Sequence, residues 1–441
     1  MNIQTVNPTI LELTIKYNPD IKLKSTAELI SQFDKCWNER KKCFEDKFNH
    51  DEFRHLLFKH NDVFKHNHDL TNCYGVIGKK DLEAETKIFI RADIHGDLKS
   101  LLENIKEAQR QGLLDENYKC KPKVQLIFLG DYTDRGSNSL QVIQLLMTLR
   151  KENPDQVTLI RGNHEDTDMN IYYCVLDNDF KTFLNDTNMG EINKKLLNEF
   201  YDTLFLTMYM GEQDSRQYVQ FTHALFEFYV DPSEMLRQKT HTAMMSIPMY
   251  TSEIKFSNRI NKIKIDDDLI KSKLKLVTNK TDRKKWKLMH AIKKIKQLHK
   301  SSHIFRSHLS VTAYNWGDID KQSFPGDLGR REWKISPEDL KNYLYLCSTL
   351  EEENPIKVKM IFRGHEHLKQ HHVFKKKVVS TTLPVAMDSL YATKYPNQKD
   401  TFYVIDIAPK VKNWTKTIFE REQGSSTTRK GNTTLLQDPK N

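Results

Sequence analysis

The chain has 441 residues, 38% apolar and 29% charged, with only 15 Gly and 13 Pro; this excludes fibrous and low-complexity classes, and the length allows two or three domains. No apolar run approaches the roughly 18 residues of a membrane span, and Met1-Asn2-Ile3-Gln4-Thr5-Val6 starts no basic-then-apolar leader, so neither a membrane span nor a secretory signal is expected. The net charge of +10 is local: residues 251–308 hold 17 basic against 5 acidic residues, a surplus of 12 that leaves the remainder at −2, so the charge does not mark the whole protein as a nucleic-acid binder. The six cysteines (Cys36, Cys43, Cys73, Cys120, Cys174 and Cys347) form no CxxC pair, and none has Arg six positions on. Free structural thiols in a reducing, cytoplasmic compartment are expected, and a thiol-based phosphatase loop is excluded.

Residues 1–84 show no strong strand signal. Helices are predicted over 28–48 and 51–66, with Leu29, Phe33, Trp37 and Phe44 as apolar faces. His55, His60, His66 and His68 lie close together there; with no Cys or Asp framework beside them, a solvated helix face is expected in preference to a metal site.

From Lys87 the pattern becomes strand, polar loop, helix, three times over. Strand 87–91 runs into Asp93-Ile94-His95-Gly96-Asp97 and a helix over 99–114. Strand 124–129 ends in Gly130-Asp131 before a helix over 139–151. Strand 157–160 ends in Arg161-Gly162-Asn163-His164-Glu165. Such units build a largely parallel sheet with helices on its faces. Polar clusters at C-terminal strand ends fall where open α/β sheets bind ligands. Strand 218–222 then leads into His223, and strand 357–362 into Arg363-Gly364-His365-Glu366-His367. Val373, 378–382 and 402–407 predict antiparallel strands closing a second sheet. Between these, Trp286, Met289, Ile292, Ile295 and Leu298 recur every third position among lysines, the pattern of a basic amphipathic helix. It is a lid, a partner-binding helix or a solvated insertion. After Phe419 the polar tail predicts disorder.

Asp93, His95, Asp131, Asn163, His223 and His365 supply hard oxygen and imidazole ligands at strand ends. Mixed sets of this kind suit Mn, Fe or Zn and do not suit thiolate chemistry. Two Asp, one Asn and three His are enough for two metals if one carboxylate bridges them. A two-metal site clamps both the attacking and the leaving oxygen of an in-line displacement.

This order of motifs resembles the calcineurin-like metallophosphatases, and more narrowly the phosphoprotein phosphatase (PPP) family of Ser/Thr phosphatases. The residues that carry it are Asp93-Ile94-His95-Gly96, Gly130-Asp131-Tyr132-Thr133-Asp134-Arg135-Gly136 and Arg161-Gly162-Asn163-His164-Glu165, then Trp316-Gly317-Asp318, Arg330 and Arg331, and Arg363-Gly364-His365. The resemblance implies an α/β fold, a two-sheet sandwich flanked by helices. The expected partition is a helical N-terminal extension (1–84), a core in two parts (85–239 and 309–420), a basic helical insertion (240–308) and a disordered tail (421–441). It also implies that Asp93, His95 and Asp131 hold one metal, and that Asp131, Asn163, His223 and His365 hold the other. Two divalent or trivalent ions are expected, Mn first, then Fe or Zn, with a metal-bridging water as the nucleophile. His164 would protonate the leaving alkoxide, Asp134 would orient it, and Arg135 would clamp the phosphate, with Arg330 or Arg331 as a second arginine. His367 is a further ligand candidate, with a plain loop histidine as the alternative. The sequence departs from the family in His223-Ala224-Leu225 and in Thr382-Leu383-Pro384-Val385-Ala386, where the family's active-site tyrosine is missing.

The expected function is therefore a metal-dependent phosphomonoesterase acting on phosphoproteins, Ser/Thr by family default with Tyr open, and with acidic substrates drawn by the basic segment. A diadenosine tetraphosphatase-like nucleotide hydrolase shares the three early motifs. A binding protein with a dead phosphatase core is disfavoured because all six ligands and His164 are present. Nucleic-acid binding would rest only on the basic segment. The lysine- and asparagine-rich composition and polar tail resemble phosphatases that bacteria inject into host cells.

Overall fold

A capping box opens the first helix, α1 (Thr26–Asn38): Ser25 Oγ accepts the Glu28 N–H at 3.2 Å, and the Glu28 carboxylate accepts the Ser25 N–H at 2.7 Å. The computed structural model describes residues 21–38, 48–67, 73–225, 230–248, 317–319, 333–335, 343–344, 347–348, 353–365, 373–374, 378–380, 400–422 and 427–436. The helix predicted over 28–48 is thus seen as far as Asn38, and α2 (His50–Asn67) follows. Leu29, Ile30 and Phe33 of α1 and Phe53, Leu56 and Leu57 of α2 join the main core. His60 is not on a solvated face, as expected from sequence, but against Phe200 and Thr203. His66 and His68 have side chains outside the described set.

Strands β1 (Cys73–Leu82), β2 (Lys87–Arg91), β3 (Val124–Phe128), β4 (Val157–Leu159), β5 (Phe205–Glu212), β6 (Gln217–Thr222), β7 (Thr242–Pro248), β8 (Gly317–Ile319), β9 (Trp333–Ile335), β10 (Lys357–Arg363), β11 (Val373–Phe374), β12 (Val378–Ser380), β13 (Asp400–Asp406), β14 (Thr415–Arg421) and β15 (Arg429–Leu435) form two large sheets and one small pair. The six-stranded sheet runs β15-β14-β13-β2-β3-β4 and the seven-stranded sheet β11-β12-β10-β6-β5-β1-β7. β2, β3 and β4 are mutually parallel, as the repeated units predict. Period-two alternation sorts the side chains. Phe89, Leu126, Phe128, Phe402 and Val404 face the helical core, whereas Ile88, Ile90, Ile127, Tyr403 and Ile405 face a second core shared with Met208, Phe221, Met360 and Phe362 of the other sheet. The molecule is therefore helices on sheet on sheet. The helical layer includes α3 (Leu98–Arg110), α4 (Ser139–Glu152), α5 (Thr167–Tyr173), α6 (Asn178–Leu184) and α7 (Gly190–Asp202).

Several expectations are corrected. Residues 73–82, read as part of a helical extension, form β1, parallel to β5 and antiparallel to β7. Gly75, Gly78, Lys79 and Lys80 dilute the strand signal there, and tertiary pairing overrides it. β13 joins the first sheet beside β2, not the second, and β12 is parallel to β10. Within the tail expected to be disordered, Arg429–Leu435 pairs antiparallel with β14. The region read as a basic insertion begins with the sheet strand β7, and residues 249–316 lie outside the described set. The cysteines whose state is described (Cys36, Cys120, Cys174 and Cys347) are free, and burial pushes the Cys120 thiol up to about 12, as expected of structural thiols. No helix among the described residues is long and apolar enough to cross a membrane.

Candidate active site

Five strand ends converge. β2, β3 and β4 deliver Asp93 and His95, Asp131, and Asn163 and His164 from one sheet. β6 and β10, parallel neighbours in the other sheet, deliver His223 and His365. All seven are buried. The turns are tight enough that six site residues adopt left-handed backbone: Asp93 (φ 43), His95 (49), Asp131 (55), Asp134 (69), Arg135 (66) and His365 (73). Such non-glycine conformations are costly and persist where surrounding structure enforces them. Two glycines show how close the loops come. A Cβ on Gly162 would lie 2.3 Å from Asp131 Oδ1, and one on Gly364 would lie 2.4 Å from Asp93 Oδ1.

The chemistry of the donors follows from their second contacts. His223 Nδ1 lies 2.8 Å from the Leu129 carbonyl and His95 Nδ1 3.0 Å from the Thr133 carbonyl. Each Nδ1 must therefore carry the proton, which turns an Nε2 lone pair inward. Burial lowers the pKa of His223, against an opposing pull from Asp93, and so favours the neutral ring. Its Nε2 lies 3.3 Å from Asp131 Oδ1, 3.0 Å from Asn163 Oδ1 and 3.2 Å from His365 Nδ1; Asn163 Oδ1 is also 3.0 Å from His365 Nδ1. Carboxylate, amide oxygen and imidazole nitrogen thus converge as acceptors. Turning the amide would let its NH₂ donate to these same nitrogens at 3.0 Å and to Asp131 at 3.3 Å. With its oxygen turned inward the same amide can serve a cation as a ligand.

Two clusters of potential ligand atoms, each within 4.8 Å, share Asp131: Asp131 with His223 and His365, and Asp131 with His95 and His164. This donor set, oxygen and nitrogen with no thiolate, fits a pair of hard or borderline metal ions. Asp93, expected as a ligand beside His95, falls in neither cluster; His164 takes the third place beside His95 and Asp131. The Asp93 carboxylate accepts the His365 backbone N–H at 3.1 and 3.2 Å and lies 3.8 Å from His223 Nδ1. Burial pushes Asp93 up to about 6, with His223 opposing and Asp131 reinforcing the shift.

Beside the shared carboxylate, His164 Nδ1 and Asp134 Oδ2 are 2.7 Å apart, both fully buried. Arg135 reaches His164 Nε2 at 2.8 Å and His95 Nε2 at 2.9 Å through its two terminal nitrogens. The Tyr173 ring packs edge-on against His164, with centroids 5.5 Å apart. Burial pushes Asp134 up to about 8, partly offset by the Asn170 amide and Arg135. Arg330, Arg331 and His367 lie outside the described residues.

Sequence reasoning assigned no role to Glu165, Asn170 or Tyr201. Glu165 Oε2 accepts the N–H groups of Asp131 (2.8 Å) and Gly162 (2.7 Å), and Oε1 accepts that of Tyr132 (2.8 Å). It ties the β3 loop to the β4 loop. Asn170 Nδ2 donates to Asp134 Oδ2 (3.0 Å) and to the His164 carbonyl (2.8 Å), and Tyr201 OH donates to Asn170 Oδ1 (2.9 Å). Glu165 sat within a quoted motif and could have been suspected. Nothing local marks Asn170 or Tyr201.

A family model for the Metallophos domain, calcineurin-like phosphoesterase, matches residues 86–369. The chain belongs to the calcineurin-like phosphoesterase family. Among curated relatives, the serine/threonine-protein phosphatase 6 catalytic subunit of Caenorhabditis elegans is 36% identical over 110 residues, 24% of this chain and 30% of that protein. Serine/threonine-protein phosphatase PP1-1 of Saccharomyces cerevisiae is 42% identical over 81 residues, 18% of this chain and 23% of that one. The chain thus spans less than a third of the length of either relative. A solved Saccharomyces cerevisiae protein serine/threonine phosphatase, described as similar to human phosphatase PP5, aligns over 92% of this chain and 96% of its own at 14% identity, with a TM-score of 0.49. A cold-active protein tyrosine phosphatase aligns over 80% of each chain at 14% identity and a TM-score of 0.38.

Proposed function

We propose that this calcineurin-like phosphoesterase is a dinuclear-metal phosphomonoesterase of the PPP type acting on phosphoproteins. The observation that carries the reading is the shared Asp131, which lies with His223 and His365 on one side and with His95 and His164 on the other, His164 being paired with Asp134 and met by Arg135. In this reading Asp93, His95 and Asp131 hold one ion, and Asp131, Asn163, His223 and His365 the other. Bound there, the two ions supply an acidified water and neutralise charge on an in-line displacement at phosphorus.

The chain's own groups do the rest. Arg135 presents two N–H-bearing nitrogens side by side, the fork that binds two phosphate oxygens. On substrate binding it turns from the two imidazoles to the phosphate, which leaves His164 Nε2 able to carry a proton. Asp134 fixes the His164 ring through Nδ1; burial favours its neutral form and a proton on His164 favours the carboxylate, so the two ionise as a pair when the imidazolium donates to the leaving alkoxide. Asn170 and Tyr201 hold Asp134 in place. Arg330 or Arg331 is the proposed second phosphate contact, and His367 a proposed further ligand. The lysine-rich segment 251–308 favours acidic phosphoprotein stretches, an attraction that salt screens beyond about 8 Å at physiological strength.

The test is kinetics on matched phosphoserine, phosphothreonine and phosphotyrosine peptides, with Mn²⁺ restored after chelation. The expected result is peptide turnover that returns with metal. Efficient hydrolysis of dinucleoside polyphosphates with no peptide turnover would assign a nucleotide substrate instead.

A further inference from the structure

A cavity of about 680 Å³ lies between α2, the end of α4, and strands β1, β4, β5 and β7. It is within the range of small-molecule sites, roughly 300–1,000 Å³. It is lined by none of the proposed catalytic or metal-holding residues; Val157 and Thr158 of β4 line it, and Asn163 and His164 follow the far end of that strand. Its apolar side is built from Leu56, Val157, Phe205 and Met208, all buried.

Its polar side is cationic. Lys80 Nζ donates to Asp155 O at 2.9 Å, Gln125 Oε1 at 3.2 Å and Thr158 Oγ1 at 3.2 Å. These three bonds use all three N–H groups of the ammonium, so an incoming anion meets its charge, which the Asp155 carboxylate offsets in part. The Arg150 guanidinium lies 6.0 Å over the Phe205 ring. Burial, and the charge of Arg150, push Lys80 down to about 8; burial pushes Arg150 down to about 10. Both side chains are half-buried at the cavity wall. Lys79 is committed to Asp81 at 2.9 Å, and burial holds His60 neutral, at about 3. The remaining lining charges are Lys59 and Lys151 against Asp62 and Asp155, all four at the exposed margin.

We propose that this cavity binds a small amphiphilic anion, with its acid group toward Lys80 and Arg150 and its apolar body along Leu56, Phe205 and Met208. Charge complementarity selects the acid group, since Lys59, Lys80, Arg150 and Lys151 outnumber Asp62 and Asp155 around the cavity and a neutral ligand of the same shape gains nothing from that surplus. The apolar lining selects the body, by removing its surface from water. A carboxylate and a sulfur or phosphorus oxyacid share this chemistry.

The test is titration calorimetry and thermal unfolding of the full chain with decanoate, decanesulfonate and decanol. One acid should bind per chain, raise Tm with concentration and bind at least about tenfold more tightly than decanol, about 1.4 kcal/mol. The tighter of the two acids identifies the acid group. Lys80→Met should weaken acid binding at least about tenfold while leaving decanol binding and aryl phosphate hydrolysis unchanged. Met244→Trp, at a lining residue 41% exposed, narrows the entrance and should weaken all three ligands without touching Lys80, so the test survives if Lys80→Met does not fold. Equal binding of acid and alcohol, binding untouched by either substitution, or no binding below ~1 mM would overturn the proposal.

Discussion

At the scale of single residues, the proposed function has Asp131 hold metal and His164 move a proton. Asp131 Oδ1 also accepts the His164 backbone N–H at 3.1 Å, so it links the two. Asp131→Asn removes the one carboxylate shared by both ligand clusters. It is expected to lose nearly all turnover and to retain less than the wild-type metal content by elemental analysis; two ions per chain with normal turnover would remove it from the bridging role. His164→Asn should keep its metals and slow turnover by about 10²–10⁴-fold. The loss should shrink on an activated aryl phosphate, whose leaving group needs no proton. Equal losses on both substrates would count against the acid assignment.

At the scale of elements, a buried charge network joins β2, β13, β14 and α3. Asp400 meets Arg91 at 3.0 Å and Arg421 at 2.8 Å and accepts from Asn104 at 2.9 Å, and Arg421 also reaches Ser100 at 2.9 Å. Asp400→Ala would leave two buried guanidinium groups facing each other. A loss of about 3–5 kcal/mol in urea unfolding is expected, and a loss under ~1 kcal/mol would show that the network is dispensable. The contact of α2 with α7 carries a pH signature. His60 is held at about 3 by burial, and secondarily by Arg150. The folded state keeps it neutral while the unfolded chain takes up a proton below about 6.5. The unfolded state therefore binds more protons, and stability falls as pH drops from 6.5 toward 3. Between pH 7 and 5 this one group should remove about 2 kcal/mol. His60→Gln should flatten that part of the wild-type stability curve; an unchanged slope would refute the buried neutral state.

At the scale of the whole molecule, the site is a joint between two sheets. Asp93, His95, Asp131 and Asn163 come from one, and His223 and His365 from the other. Metal that binds only this assembled joint stabilises the folded state by mass action. Chelation should therefore lower Tm as well as abolish turnover, and Mn²⁺ should restore both together. Recovery of activity with no change in Tm would mean that the ions do not bridge the sheets.

The sequence by itself determined the parallel β2-β3-β4 unit, the order of the ligand motifs and the chemistry of the donors. Strand alternation, helix periodicity and polar strand ends are local signals, written within ten or so residues of one another. Only the tertiary structure decided that β1 and β15 are strands, because Gly75, Gly78, Lys79 and Lys80 in one and Arg429, Lys430 and Gly431 in the other have little strand propensity and are held by their neighbours' open edges. It alone placed β13 beside β2, where Phe402 and Tyr403 point into different cores. It also brought Asn170 and Tyr201 behind the His164–Asp134 pair and Glu165 under the Asp131 turn. Asn170 Nδ2 meets Asp134 Oδ2 across 36 positions of chain. A contact between residues that far apart is set by how helices pack on the sheet, and no local pattern records it.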